Sequence, residues 1–358
     1  MRKTTIAVLI TFIIIMLLFA FANAQDARQG TEIFVQGMAI DYVWPYVATT
    51  NGKIFNLNND TVALDMRDRL YYPEGPGLTA MSTRSGSIYT YSINRINGEP
   101  VAEVLRWDSG TPTTIISFTG VLTNSHSTDF MEFSPADGSL FIGFGDSASF
   151  TEASPQHSEV LSLDSYRGKV LRINPDNGKG YADNPFCTSG DLDSMRCKVW
   201  AYGFRNPWAA SWDATNDLIV VDVGDHSVEE VNSHIRGKFH GWPCFEGGKA
   251  SQFIGGVPEC EGTIPPLPPM PEYSYTHDTG TGIMGAVKIY GQLIVGYFAG
   301  KIFESNGKIL MNNKKMLVRL LQNGNSGMIA IYFDGTTRTS ELVFLDYQFF
   351  YYIPSASK

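Results

Sequence analysis

Between residues 124 and 243 the chain sets out side chains of the types that proton transfer, anion binding and hard-cation ligation require. His126 stands in Asn124-Ser125-His126-Ser127-Thr128, and Gly145-Asp146 closes an apolar run that follows it. Arg205-Asn206-Pro207 comes next, then Gly224-Asp225, Glu229-Glu230 and His240. Each has an ordinary structural reading: a loop histidine, a turn after a strand, a turn stapled by a guanidinium, a solvated acidic edge. Their order and company, rather than any one of them, make a candidate site.

The elements that must position these residues read as strands. Apolar and β-branched runs at 44–48, 53–57, 87–93, 101–107, 114–118, 140–144, 170–173, 218–223 and 286–290 are separated by turn signals. Asn51-Gly52, Asp137-Gly138 and Asn177-Gly178 are examples. The composition agrees, with 35 Gly, 18 Pro, 22 Phe, 17 Tyr and 6 Trp in 358 residues. Two segments, 131–146 and 210–225, both run strand, turn, strand and end in Gly-Asp. Weak self-similarity of this kind is what a β-propeller produces, because radial repetition hides sheet edges without a strict period. A β-sandwich is the alternative on pattern alone. The Pro-rich stretch 264–271 reads as a stiff connection inside one domain that covers residues 25–358.

Arg2 and Lys3, the apolar run 6–21 and the small-residue site Ala22-Asn23-Ala24 have the layout of a secretory signal peptide at 1–24, with an uncleaved anchor as the alternative. The mature protein is therefore expected outside the cell, or in the periplasm of a bacterium, with no later membrane span. Cys187, Cys197, Cys244 and Cys260 all follow the leader, and the near pairings Cys187–Cys197 and Cys244–Cys260 are the simplest of the three connectivities. Asn59-Asp60-Thr61 is a glycosylation sequon. With 27 Lys and Arg against 36 Asp and Glu, the net charge of −9 argues against nucleic acid as a partner.

The motifs, taken in order, resemble a known family. They are His126, Phe133–Gly138, Gly145-Asp146, Gly168–Asn174 and Asn184–Phe186, followed by Ala201–Pro207, Asp222–Asp225, Glu229–Asn232 and His240–Pro243. The series is similar to the soluble quinoprotein glucose/sorbosone dehydrogenases, which include hedgehog-interacting-protein-like ectodomains. The resemblance implies a six-bladed β-propeller and hydride transfer from a sugar hydroxyl carbon to pyrroloquinoline quinone (PQQ). It implies His126 as general base, Asp146 as its partner, Arg205 over the quinone carbonyls and Asn206 beside it. It also implies calcium at the Gly224 and Asp225 carbonyls, and a second calcium site from Glu230 and the backbone of His240. The electron acceptor is left open, as is a propeller without turnover that binds a protein or glycan.

Several positions depart from the family pattern. Asp225 stands where proline is usual, and His240 where tyrosine is usual. Lys301 lies near, not on, the family's cofactor lysine, and 290–358 holds no Arg-x-Arg pair. The last blade cannot be read in 306–358, which ends in an aromatic tail at 349–353. A propeller divergent or incomplete at its C-terminal side is the expectation.

Overall fold

The computed structural model describes residues 32–72, 77–121, 126–262, 273–276 and 282–347. The leader, the Pro-rich stretch and the aromatic tail lie outside them. Six four-stranded antiparallel sheets account for nearly all of the regular structure. Blade one is Ala39–Val43, Tyr46–Thr49, Lys53–Asn56 and Thr61–Asp65; blade two is Leu78–Arg84, Ser87–Ile96, Glu99–Asp108 and Thr111–Thr119. Blade three is Met131–Phe133, Leu140–Phe144, Lys169–Ile173 and Val199–Tyr202; blade four is Ala209–Trp212, Leu218–Asp222, Val228–Asn232 and Tyr273–Thr276. Blade five is Ile283–Ile289, Gln292–Tyr297, Lys301–Glu304 and Ile309–Asn312. In each of these the strands lie in chain order, and the first strand of every blade touches the first strand of the next around a closed ring. The protein is a six-bladed β-propeller.

The sixth blade corrects the expectation of an incomplete ring. Met316–Asn323, Gly327–Asp334 and Thr339–Asp346 form three of its strands, and Glu32–Gln36, from the other end of the ring, forms the fourth. Glu32 lies opposite Val343 and Gln36 opposite Thr339. A blade assembled from strands some 300 positions apart cannot appear as a local pattern, which is why 306–358 looked short of one strand.

Blades stack face to face, so their middle strands are covered on both sides. Leu140–Phe144 and Leu218–Asp222 are buried at every position, which explains why they read as unbroken apolar runs rather than alternating ones. Tyr91 and Val104 of blade two pack with Ile142 and Leu171 of blade three in one cluster, while Val221 and Val231 of blade four pack with Ala286 and Val295 of blade five in another. Each fully buried Val, Leu or Ile side chain among them contributes about 1.5–3 kcal/mol of transfer free energy. The two similar segments, 131–146 and 210–225, are the first and second strands of consecutive blades. Both disulfides pair as the simplest reading had them, Cys187–Cys197 and Cys244–Cys260.

Candidate active site

In an antiparallel blade, the loop before the first strand and the loop after the second lie at the same end of the channel. His126 precedes the first strand of blade three and Asp146 follows its second; Arg205 and Gly224 hold the equivalent places in blade four. The topology alone therefore brings the four to one mouth of the ring. Gly145 allows the closest approach: a Cβ there would sit 2.5 Å from the Cβ of His126 and 3.0 Å from the carbonyl oxygen of Arg205. Main-chain bonds lock the arrangement, with the Asp146 N–H donating to the Arg205 carbonyl at 2.8 Å and the Ser147 N–H to the His126 carbonyl at 2.8 Å.

His126 Nδ1 lies 3.1 Å from Asp146 Oδ1, and the indole Nε1 of Trp242 donates to Asp146 Oδ2 at 2.9 Å. Burial pushes the Asp146 carboxyl up, but the hydrogen bond and charge of His126 and the charge of Arg205 outweigh it and hold the group below the usual carboxylate range. Burial lowers His126 below the ordinary imidazole value, and Asp146 offsets part of that. At neutral pH the pair is thus a neutral imidazole donating from Nδ1 to an ionised carboxylate, which leaves Nε2 as the basic atom.

Arg205 donates from Nη1 to the Gly224 carbonyl at 2.7 Å and from Nη2 to Asp225 Oδ1 at 3.0 Å. Its guanidinium carbon lies 5.9 Å from the Phe150 ring and 5.6 Å from the Trp242 ring, within cation–π range of both. The backbone N–H groups of Arg205 and Asn206 both donate to the buried carboxyl of Asp222, at 3.1 and 2.7 Å. Glu246 Oε1 accepts four successive N–H groups, Asp225 at 2.6 Å through Val228 at 3.1 Å, and so shapes the turn that carries the Gly224 carbonyl. A cavity of about 10 Å3, room for one water-sized sphere, is lined by Gly224, Glu230, His240 and Glu246. Burial pushes the Glu230 carboxyl up to about 7 and the His240 imidazole down to about 3.

A family model described as Glucose / Sorbosone dehydrogenase matches residues 113–306, more than half of the chain. The chain belongs to the glucose/sorbosone dehydrogenase family. It is 32% identical over 129 residues to aldose sugar dehydrogenase YliI of Escherichia coli (strain K12), a match that covers 36% of this chain and 31% of that protein. The HIPL1 protein of Arabidopsis thaliana is 28% identical over 145 residues, which covers 36% of this chain and 20% of the plant protein. The match thus spans less than a third of the length of either relative. Among solved structures, the PQQ-bound aldose sugar dehydrogenase of Streptomyces coelicolor superposes with a TM-score of 0.62 at 18% identity, over 88% of this chain and 99% of that one. The apo form of the soluble Escherichia coli aldose sugar dehydrogenase gives 0.64 at 18% identity, over 87% and 98%. At such identity the likeness is one of fold.

Within this glucose/sorbosone dehydrogenase framework, all eight residues singled out from the sequence lie at or next to one mouth: His126, Asp146, Arg205, Asn206, Gly224 and Asp225 around the site, Glu230 and His240 on the small cavity beside it. Sequence reasoning missed four contributors. Trp242 and Asp222 stood inside quoted motifs without a role, while Phe150, whose ring lies 5.1 Å from His126, carried no signal. The fourth is a buried cation, Arg319, on the first strand of blade six and deeper in the channel. It is buried in the channel 5.1 Å from the Trp208 ring, and its Nε has no hydrogen-bond partner.

Arg205 fits a planar, anionic quinone, because its guanidinium lies between two aromatic rings. The buried Asn206 Oδ1 is an acceptor with no hydrogen-bond partner, and it suits a donor group on a ligand. For calcium, one lone pair of the Gly224 carbonyl is taken by Arg205, and among the described residues no three His, Cys, Asp or Glu side chains converge on a metal-sized point, so any calcium here would rest on main-chain carbonyls.

Proposed function

We propose that the chain is an exported quinoprotein oxidoreductase that oxidises an aldose hydroxyl by hydride transfer to PQQ. The observation that carries the reading is the meeting of His126, Asp146 and Arg205 at one mouth, with the imidazole neutral and its tautomer set. PQQ, when bound, supplies the two-electron acceptor for the hydride. His126 Nε2 takes the hydroxyl proton as the C–H electron pair leaves the carbinol carbon, and Asp146 stabilises the imidazolium that forms. Arg205 holds anionic oxygens of the cofactor, Asn206 supports it, and Phe150 and Trp242 keep water from the guanidinium. Calcium, in the same reading, would lie at the Gly224 and Asp225 carbonyls or between Glu230 and the His240 backbone. Export is supported by the leader layout and the two disulfides; among the described residues no helix is long and apolar enough to cross a membrane.

The alternative is a secreted propeller that binds a protein or glycan without turnover. The Arg205–Gly224 hydrogen bond favours it, because that bond commits the guanidinium and the carbonyl to each other. Reconstitution with PQQ, with and without calcium, followed by dye-linked oxidation of an aldose panel, separates the two. Turnover is expected, with His126→Ala lowering it about 10²–10⁴-fold while PQQ binding changes little, and Arg205→Ala weakening both. Failure of the wild-type protein to bind PQQ moves it to the non-catalytic class.

A further inference from the structure

The opposite mouth of the channel, where the first strands of the blades end rather than begin, opens into a cup of about 490 Å3. We propose that this cup is a second, non-catalytic site that binds a neutral saccharide. The volume lies in the range of small-ligand sites. Arg319 lies on the active-site side of the cup, donating towards the Thr79 and Asp129 carbonyls at 3.4 and 3.5 Å, both at the starts of their blades. The cup is therefore distinct from the site around His126.

Its lining names the ligand class. Glu132 lines the cup from the first strand of blade three, where its main chain pairs with Phe141. It is half-buried on the cup wall; burial and the nearby charge of Asp41 push its carboxyl up to about 8, against the opposing charge of Arg319. A protonated carboxyl both donates and accepts, as a sugar hydroxyl does. Asp41 offers no anchor for a cation: Oδ1 accepts the Tyr42 N–H and Oδ2 the Met81 N–H, each at 2.9 Å. With Arg319 close behind both acids, a positively charged ligand is disfavoured. Trp44 supplies an exposed indole at the rim for the C–H face of a sugar ring, and the amides of Asn216 and Asn323 line the wall. Asp213 also lines the wall, its Oδ1 taken by the Thr215 and Asp217 N–H groups at 2.8 and 2.9 Å. A flat aromatic ringed by amides and carboxyls fits the hydroxyls of a polyol ring better than an anion or an apolar chain.

The test is saturation-transfer NMR and calorimetry on the full chain with glucose, maltose and cellobiose, and it stands apart from turnover at the other mouth. At least one probe is expected to bind with equal affinity to wild type and Arg205→Ala, and at least tenfold more weakly to Trp44→Ala and Glu132→Ala. Wild-type affinity should fall as pH rises past 8, where Glu132 ionises beside Asp41, while Glu132→Gln stays flat. Thermal melts check that each variant is folded, and Asn323→Ala at the exposed rim replaces any that is not. Binding of none of the probes, or binding lost in Arg205→Ala and untouched by Trp44→Ala, overturns the proposal.

Discussion

The two nitrogens of His126 face different demands, and Asp146 sets which does what. Asp146 raises the imidazole's proton affinity through a hydrogen bond and through charge, against a larger lowering by burial. Replacing it with asparagine removes the upward contribution. In Asp146→Asn the acid limb of kcat/KM, already expected below the ordinary histidine value of about 6.5, should move to lower pH. The plateau should drop roughly 10²–10⁴-fold, because nothing then fixes the tautomer or stabilises the imidazolium. A pH–rate profile of the PQQ-loaded protein reads both; an acid limb that moves to higher pH contradicts the geometry. At this scale the sequence was legible where chemistry sits in ordered motifs, as for His126, Asp146 and Arg205. It was silent on Phe150, whose place beside His126 depends on how a loop folds back, and on Arg319, a single cation among apolar neighbours.

Blade six shows what strand patterns can and cannot carry. The run 140–144 coincides with the strand Leu140–Phe144, apolar because both its faces are covered, and 101–107, interrupted by Glu103 and Arg106, lies inside Glu99–Asp108. Ring closure is a long-range event with no such local mark. Its keystone is Ser340, fully buried, whose Oγ accepts the Ala39 N–H at 2.7 Å and donates to the Gly37 carbonyl at 2.9 Å. Ser340→Ala leaves both backbone groups without a partner at the seam between blades six and one. The expected cost is about 1–3 kcal/mol, read as a lower denaturant midpoint with an unchanged slope. An unchanged midpoint would show that the ladder between Glu32–Gln36 and Thr339–Asp346 holds the seam by itself.

For the molecule as a whole, the channel makes stability depend on pH. Burial and the charge of Asp41 push the Glu132 carboxyl up to about 8 from its ordinary value of 4.5, so the folded state keeps a proton that the unfolded chain releases. Wherever the folded state binds more protons, stability falls as pH rises, here from about 4.5 up to about 8. The buried histidines, whose pKa values are lowered, act only below about 6.5. From pH 6.5 to 8 the histidines no longer act, and Glu132 should remove on the order of 1–2 kcal/mol. Buried Glu230, pushed up to about 7, adds to the fall at the lower end, while buried Lys169, pushed down to about 7, opposes it at the upper end, so the comparison with Glu132→Gln isolates the Glu132 part. Glu132→Gln should flatten the fall in denaturant midpoint over that range. Equal slopes for the two proteins would show that Glu132 ionises freely in the folded state.

The seam in blade six also orders events during synthesis. Glu32–Gln36 leaves the ribosome before all the blades, yet its partner Thr339–Asp346 is the last strand described. Until then it is an unpaired edge of five residues, with Ile33, Phe34 and Val35 in a row, able to template pairing with another nascent chain. Five blades must mature beside a sticky, waiting strand, so the yield of folded protein depends on how quickly that strand is claimed.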